Sequence, residues 1–258
     1  MPNQHFVRSY GDVLGGMTAR SWADSNRGRG FSPLASGYEN FIRDAVVFFY
    51  RRGQIAQAEY WLQRLRTDPN LNMNDEQRRL LLDQPIEVFV NQELFDNLTR
   101  PSIMINQVAA SLMGAYVSGL YTGDQEMFLS QFDYAKRIHR LYMEAQLRNT
   151  PAGGVDQRMA QMSPDFRDVA GNIFFYFVLG LSVDDQEMVY NAAPNDLKIR
   201  SYSYFLEEVK PFVEQLQSDG RKFEERFPEP EGYKEYAAEI QRKMLEAKDV
   251  NRAPLEQK

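Results

Sequence analysis

Apolar side chains recur at intervals of three and four along most of this chain, and alternation at interval two is nearly absent. That spacing lines one face of an α-helix, whereas a half-buried strand would alternate. The clearest instance is "FFYRRGQIAQAEYWLQRLRTDPN", residues 48–70. Ile55, Ala58, Trp61, Leu62 and Leu65 form one stripe there, and Gly53 separates it from a preceding helix expected over 38–52, which buries Phe41, Ala45, Phe48 and Phe49. So short a joint forces the two helices antiparallel. Asp68-Pro69 closes the second, because proline lacks an amide donor and restricts the residue before it.

The same reading predicts helices over 75–82, 86–98, 102–121 and 124–148, the last with Phe128, Phe132, Ala135, Ile138 and Tyr142 on one face. "NTPAGG", residues 149–154, breaks the pattern and marks a midpoint. Beyond it, Tyr202, Phe205, Val209, Phe212 and Leu216 form a stripe interrupted at Pro211, and "RFPEPEGYKEY" reads as a proline-broken linker. A final amphipathic helix is expected over 233–248, with Tyr233, Ala237, Ile240 and Met244 on one side. "GLYTGDQEM", Gly119 to Met127, and "GLSVDDQEM", Gly180 to Met188, share a spacing. It suits either a duplicated helix pair or two separate acidic helix starts, where carboxylates complement the dipole.

The hairpin at 48–70 resembles the tetratricopeptide repeat, a two-helix unit of about 34 residues. The matching residues are Phe49-Tyr50 ahead of Gly53, the small Ala58 at the crossing, the bulky Trp61 and Leu62, and the closing Asp68-Pro69-Asn70. Val46 and Leu65 depart from the small residues the family favours. The resemblance implies an all-α fold of antiparallel helical hairpins stacked as a short solenoid. The expected organisation is an irregular arm over 1–37, rich in Gly, Ser, Asn and Arg, a helical-repeat domain over 38–226, and a linker with a C-terminal helix over 227–258.

Composition narrows the chemistry. The 258 residues include no cysteine, which excludes disulfides, thiolate metal sites and cysteine nucleophiles. A formal charge of -6 argues against general affinity for nucleic acid, which needs a dense basic face. There are two histidines, and His139 has no carboxylate at helical spacing, so no metal role is expected. Neither a Gly-x-Ser-x-Gly elbow nor a phosphate loop occurs. The N-terminus lacks a continuous apolar core of the kind a secretory signal carries, so the expectation is cytoplasmic rather than exported. The charge-free run over 101–123 has the length of a membrane helix but is diluted by Asn106, Gln107, serines and glycines.

The expected function is therefore non-catalytic protein–protein interaction, as a scaffold or assembly subunit without cofactors. Its partner is a second copy of the chain or another protein of a larger complex. Tyr38, Tyr50, Tyr60, Tyr202 and Tyr204 are the candidate contact residues, since tyrosine offers a large contact area at small entropic cost. Two alternatives stand beside it. One is a membrane-associated subunit using 101–123; the other is a helical enzyme with carboxylates drawn from Asp124, Glu126, Asp185 and Glu187.

Overall fold

Two glycines, Gly11 and Gly15, lie on the inner face of the first helix, α1 (Gln4–Ala23), in the stretch expected to be irregular. The computed structural model describes residues 4–23, 31–69, 71, 80, 82–98, 100–148, 162–216 and 220–252. Every regular element among them is helical. The chain forms two compact units, Met1–Gly119 with Asp124–Gln161, and Leu120–Gly123 with Met162–Lys258. The helical-repeat domain expected over 38–226, with its midpoint break at 149–154, has residues in both units. The helix expected over 75–82 falls mostly outside the described residues, as does the break at 149–154.

In the first unit, α1 is followed by α2 (Phe31–Arg51), α3 (Ile55–Thr67), α4 (Ile86–Phe95), α5 (Pro101–Ala115) and α6 (Gln125–Arg148). The hairpin of α2 and α3 turns at Gly53, whose φ of 70° is a left-handed conformation that glycine adopts at no steric cost. Ala58, Trp61, Leu62 and Leu65 are buried along α3, as their spacing requires. The second helix begins at Phe31, ahead of the expected start at residue 38.

The arm is corrected to a packed helix, and the cause is the missing side chains of its glycines. A Cβ on Gly11 would lie 2.3 Å from the Trp61 ring, and one on Gly15 would lie 2.6 Å from the Arg64 guanidinium. Glycine here permits close helix packing rather than marking a loop. Arg64 then ties three helices together. Its Nη1 bonds Asp12 Oδ1 at 2.6 Å and its Nε donates to the Tyr38 hydroxyl at 2.6 Å, which donates in turn to Asp68 at 3.0 Å.

Pro101 opens α5, where a missing amide costs nothing. The helix runs on into a π-helical turn, Tyr116–Tyr121. By length and composition Pro101–Tyr121 could cross a membrane, yet half of its most apolar window is buried inside the protein. The π turn brings Gly119 against α6, where an added Cβ would lie 2.3 Å from Phe128 Cβ.

In the second unit, α7 (Phe166–Leu179), α8 (Val183–Ala192) and α9 (Asn195–Tyr204) are followed by a π turn, Phe205–Val209, and α10 (Lys210–Leu216). The widened turn precedes Pro211, whose ring cannot follow an ordinary α-helical turn. Tyr190, Phe205, Phe227 and Phe223 make successive ring contacts at 5.0, 5.5 and 5.2 Å. The short α11 (Phe223–Arg226) and the long α12 (Tyr233–Arg252) complete the unit.

The segment expected to be a linker is part of this core. Phe227 is fully buried, and the Pro228 carbonyl accepts the Tyr190 hydroxyl at 2.7 Å. Prolines that break helices also restrict the backbone, so an ordered connection costs less entropy.

The paired turns are not structural equivalents. Asp124 is the N-cap of α6, accepting from the Met127 amide at 3.0 Å. The matching Asp185 lies inside the first turn of α8, and its amide donates to Ser182, the true N-cap. Gly119 sits within a π turn, whereas Gly180 follows the end of α7.

Candidate functional site

The first unit carries a groove of about 420 Å³ between α1, α2, α4 and α5. Phe6, Val7 and Tyr10 come from α1, Phe41, Asp44, Ala45, Val47, Phe48 and Arg51 from α2, Glu93 and Leu94 from α4, and Gln107 from α5. Helical periodicity explains the α2 wall, because 41, 44, 45, 48 and 51 share one face.

Its apolar lip is built by aromatic contacts. Phe6 stacks on Tyr10 at 5.5 Å, Tyr10 meets Phe41 edge-on at 5.2 Å, and Phe41 meets Trp61 at 5.8 Å. The chain of rings runs from the buried hairpin to the surface, where Phe6 is 58% and Tyr10 43% exposed. Val13 and Met17 are also exposed and continue the stripe along α1.

Polar groups punctuate the floor. Glu93 bonds Arg43, which also holds Glu39 at 2.9 Å. Burial raises the carboxyls of Asp44 and Glu93 above their ordinary values, against the opposing pull of Arg51 and Arg43 respectively. Among the described residues, Gln107 Oε1 and Arg51 Nε are buried without a hydrogen-bond partner. A polar atom left so is costly unless a ligand or water meets it. The groove can therefore accept an apolar surface and offer it an acceptor and a donor.

Compared with known families, curated proteins and solved structures, the chain matches none.

The five tyrosines picked from the sequence do not form one site. Tyr38 has no exposed surface and belongs to the Arg64 network. Tyr202 is likewise interior, donating to the Phe227 carbonyl at 3.3 Å and packed edge-on against Tyr233 at 4.8 Å. Both are corrected from contact residues to core residues, because their hydroxyls are satisfied internally. Tyr60 is exposed, with the Arg8 guanidinium 5.8 Å from its ring centroid. Tyr50 is half-buried beneath Arg137 at 5.6 Å, and Tyr204 is exposed while stacking on Phe175 at 5.2 Å.

Three of the four suspected carboxylates are engaged structurally. Asp124 caps a helix, Asp185 accepts from the Ser182 hydroxyl at 2.7 Å, and Glu187 is bound by Arg226 at 2.8 Å and Arg221 at 2.6 Å, while Glu126 is exposed. His139 is buried on α6, and among the described residues no group of three potential ligands is placed to hold a metal ion. Sequence reasoning missed Phe6, Tyr10, Arg51 and Gln107. The signal for the first two was present, since Phe6, Tyr10, Val13 and Met17 follow helical spacing.

Proposed function

We propose that this chain is a non-catalytic interaction subunit that seats an amphipathic helix of a partner protein along α1 and in the adjoining groove. The observation that carries the reading is the continuity of the groove with the exposed stripe. Phe6 to Met17 spans about 16 Å along a helix axis at 1.5 Å per residue. A small molecule filling the groove would leave Val13 and Met17 uncovered. A helix with anchors at intervals of three and four covers both, in the manner of helix-in-groove recognition. Exposed aromatics such as Phe6 and Tyr10 are of the kind that dominates binding energy at such surfaces.

The test is site-specific photo-crosslinking of the full chain in its native host, with the crosslinker at Tyr10 or Val13 and at the exposed controls Leu129 and Tyr176. One protein captured from the α1 positions alone, and lost on Phe6→Asp while the melting temperature holds, supports the reading. The same products from all four positions, or none, would reject it.

A further inference from the structure

A second feature lies where the end of α2 meets α6. Arg51 and Arg137 form no ion pair among the described residues, and Arg51 Nε with Arg137 Nε and Nη2 are buried without acceptors. Arg137 lies 5.3 Å from the ring centroid of Tyr134 and 5.6 Å from that of Tyr50. Arg51 and its neighbour Arg52 each lie 5.3 Å from the Phe48 centroid. The Ser130 hydroxyl donates to the Arg51 carbonyl at 3.2 Å, which pins the two helices together.

Two neutral groups share this cluster. Tyr134 is only 4% exposed, and its hydroxyl and both ends of the wholly buried Gln131 amide meet no hydrogen-bond partner among the described residues. Gln131, Tyr134 and Arg137 recur every three residues, so α6 presents them on one side. Buried polar groups are normally satisfied. Here unmet donors on α2 and α6 lie around Tyr134, whose hydroxyl feels both Arg51 and Arg137, while Arg51 has Arg52 as a like-charged neighbour and Asp44 as an opposing one. Burial holds Arg51 below its ordinary value, with Arg52 adding to the effect. The partial negative charge at the end of α2 offsets some of the repulsion but bonds none of these donors.

We propose that Arg51, Arg137, Tyr134 and Gln131 form a binding site for one oxyanion, a phosphate or carboxylate group. Guanidinium donors match such oxygens in a forked geometry, and charge-assisted bonds in a water-poor site are the strong ones. The tyrosine hydroxyl and the glutamine amide N–H complete the donor set. Because Arg51 also lines the groove, the group comes either from free phosphate or from a carboxylate on a seated segment.

Thermal unfolding of the full chain, titrated with sodium phosphate and separately with sodium acetate against chloride at equal ionic strength, decides the matter and needs no protein partner. Saturable binding raises the melting temperature by about 3–6 °C at ten times the half-saturating concentration. Phosphate acting alone identifies a free dianion, and acetate acting alone identifies the carboxylate source. Arg137→Gln weakens the response about tenfold or more. Tyr134→Phe keeps the packing and weakens it several-fold, so it carries the test if the arginine variant does not fold. Equal behaviour of all three salts, or a Tyr134→Phe protein that melts higher with an unchanged salt response, overturns the assignment.

Discussion

The Trp61 ring occupies the space where a side chain on Gly11 would stand, with only 2.3 Å left to an added Cβ. Gly16, in the next turn of α1, has no such neighbour and meets only the end of Arg20 at 3.9 Å. Gly11→Ala is therefore expected to lower stability by about 1–3 kcal/mol, because overpacking outweighs improved helix propensity. Gly16→Ala should raise it by about 0.5–1 kcal/mol, for propensity acts there unopposed. Denaturant midpoints for the two variants, measured side by side, should move in opposite directions.

In the second unit, Arg226 is 2% exposed and bonds Glu187 at 2.8 Å and Asp184 at 3.2 Å. Glu187 is mostly buried and Asp184 is almost wholly exposed. Glu187→Gln should cost about 1–3 kcal/mol, since it weakens the compensation of a buried charge. Asp184→Asn should change stability by less than about 0.5 kcal/mol, as exposed pairs usually do. Urea unfolding of both variants checks the ratio.

Alkaline pH should unfold the protein through its interior tyrosines. Burial pushes the hydroxyls of Tyr38, Tyr134 and Tyr202 up to about 12. Unfolded tyrosine ionises near a pKa of about 10. A group with the higher value in the folded state contributes fully below the unfolded one, and that contribution declines as pH rises from about 10 and is gone above about 12. Tyrosinate absorbance and helical signal should change together in that window. Tyr134→Phe should delay the transition, because that hydroxyl has no hydrogen bond to lose among the described residues.

Tyr190 donates to the Pro228 carbonyl, and Phe227 is packed between Phe205 and Phe223. Tyr190→Phe should cost about 1 kcal/mol and open residues 227–232 to proteolysis. The native protein should resist cleavage there. Equal cleavage of both would show that the segment is the linker its prolines suggest.

The stripe from Ala58 to Leu65 was legible because it depends on spacing within one helix, although Ile55, expected at its start, is exposed. The groove was legible only in part. Phe6, Tyr10, Val13 and Met17 carry helical periodicity, but Gly11 and Gly15 between them look like breakers until Trp61 and Arg64 are placed beside them. Arg51 is far along the chain from Tyr134 and Arg137, and no local pattern signals that α2 brings its unmet donor to their side of α6.

Helix type, the α2–α3 hairpin and the lack of thiol chemistry follow from the sequence by itself, since residue spacing and composition act locally. Only the tertiary structure decided that Tyr38 and Tyr202 are interior while Tyr60 and Tyr204 are exposed, that Asp124 and Asp185 do different work in similar turns, and that the proline-rich segment is core. Burial and hydrogen bonding depend on which distant side chains arrive, and a one-dimensional pattern holds each partner without stating the pairing.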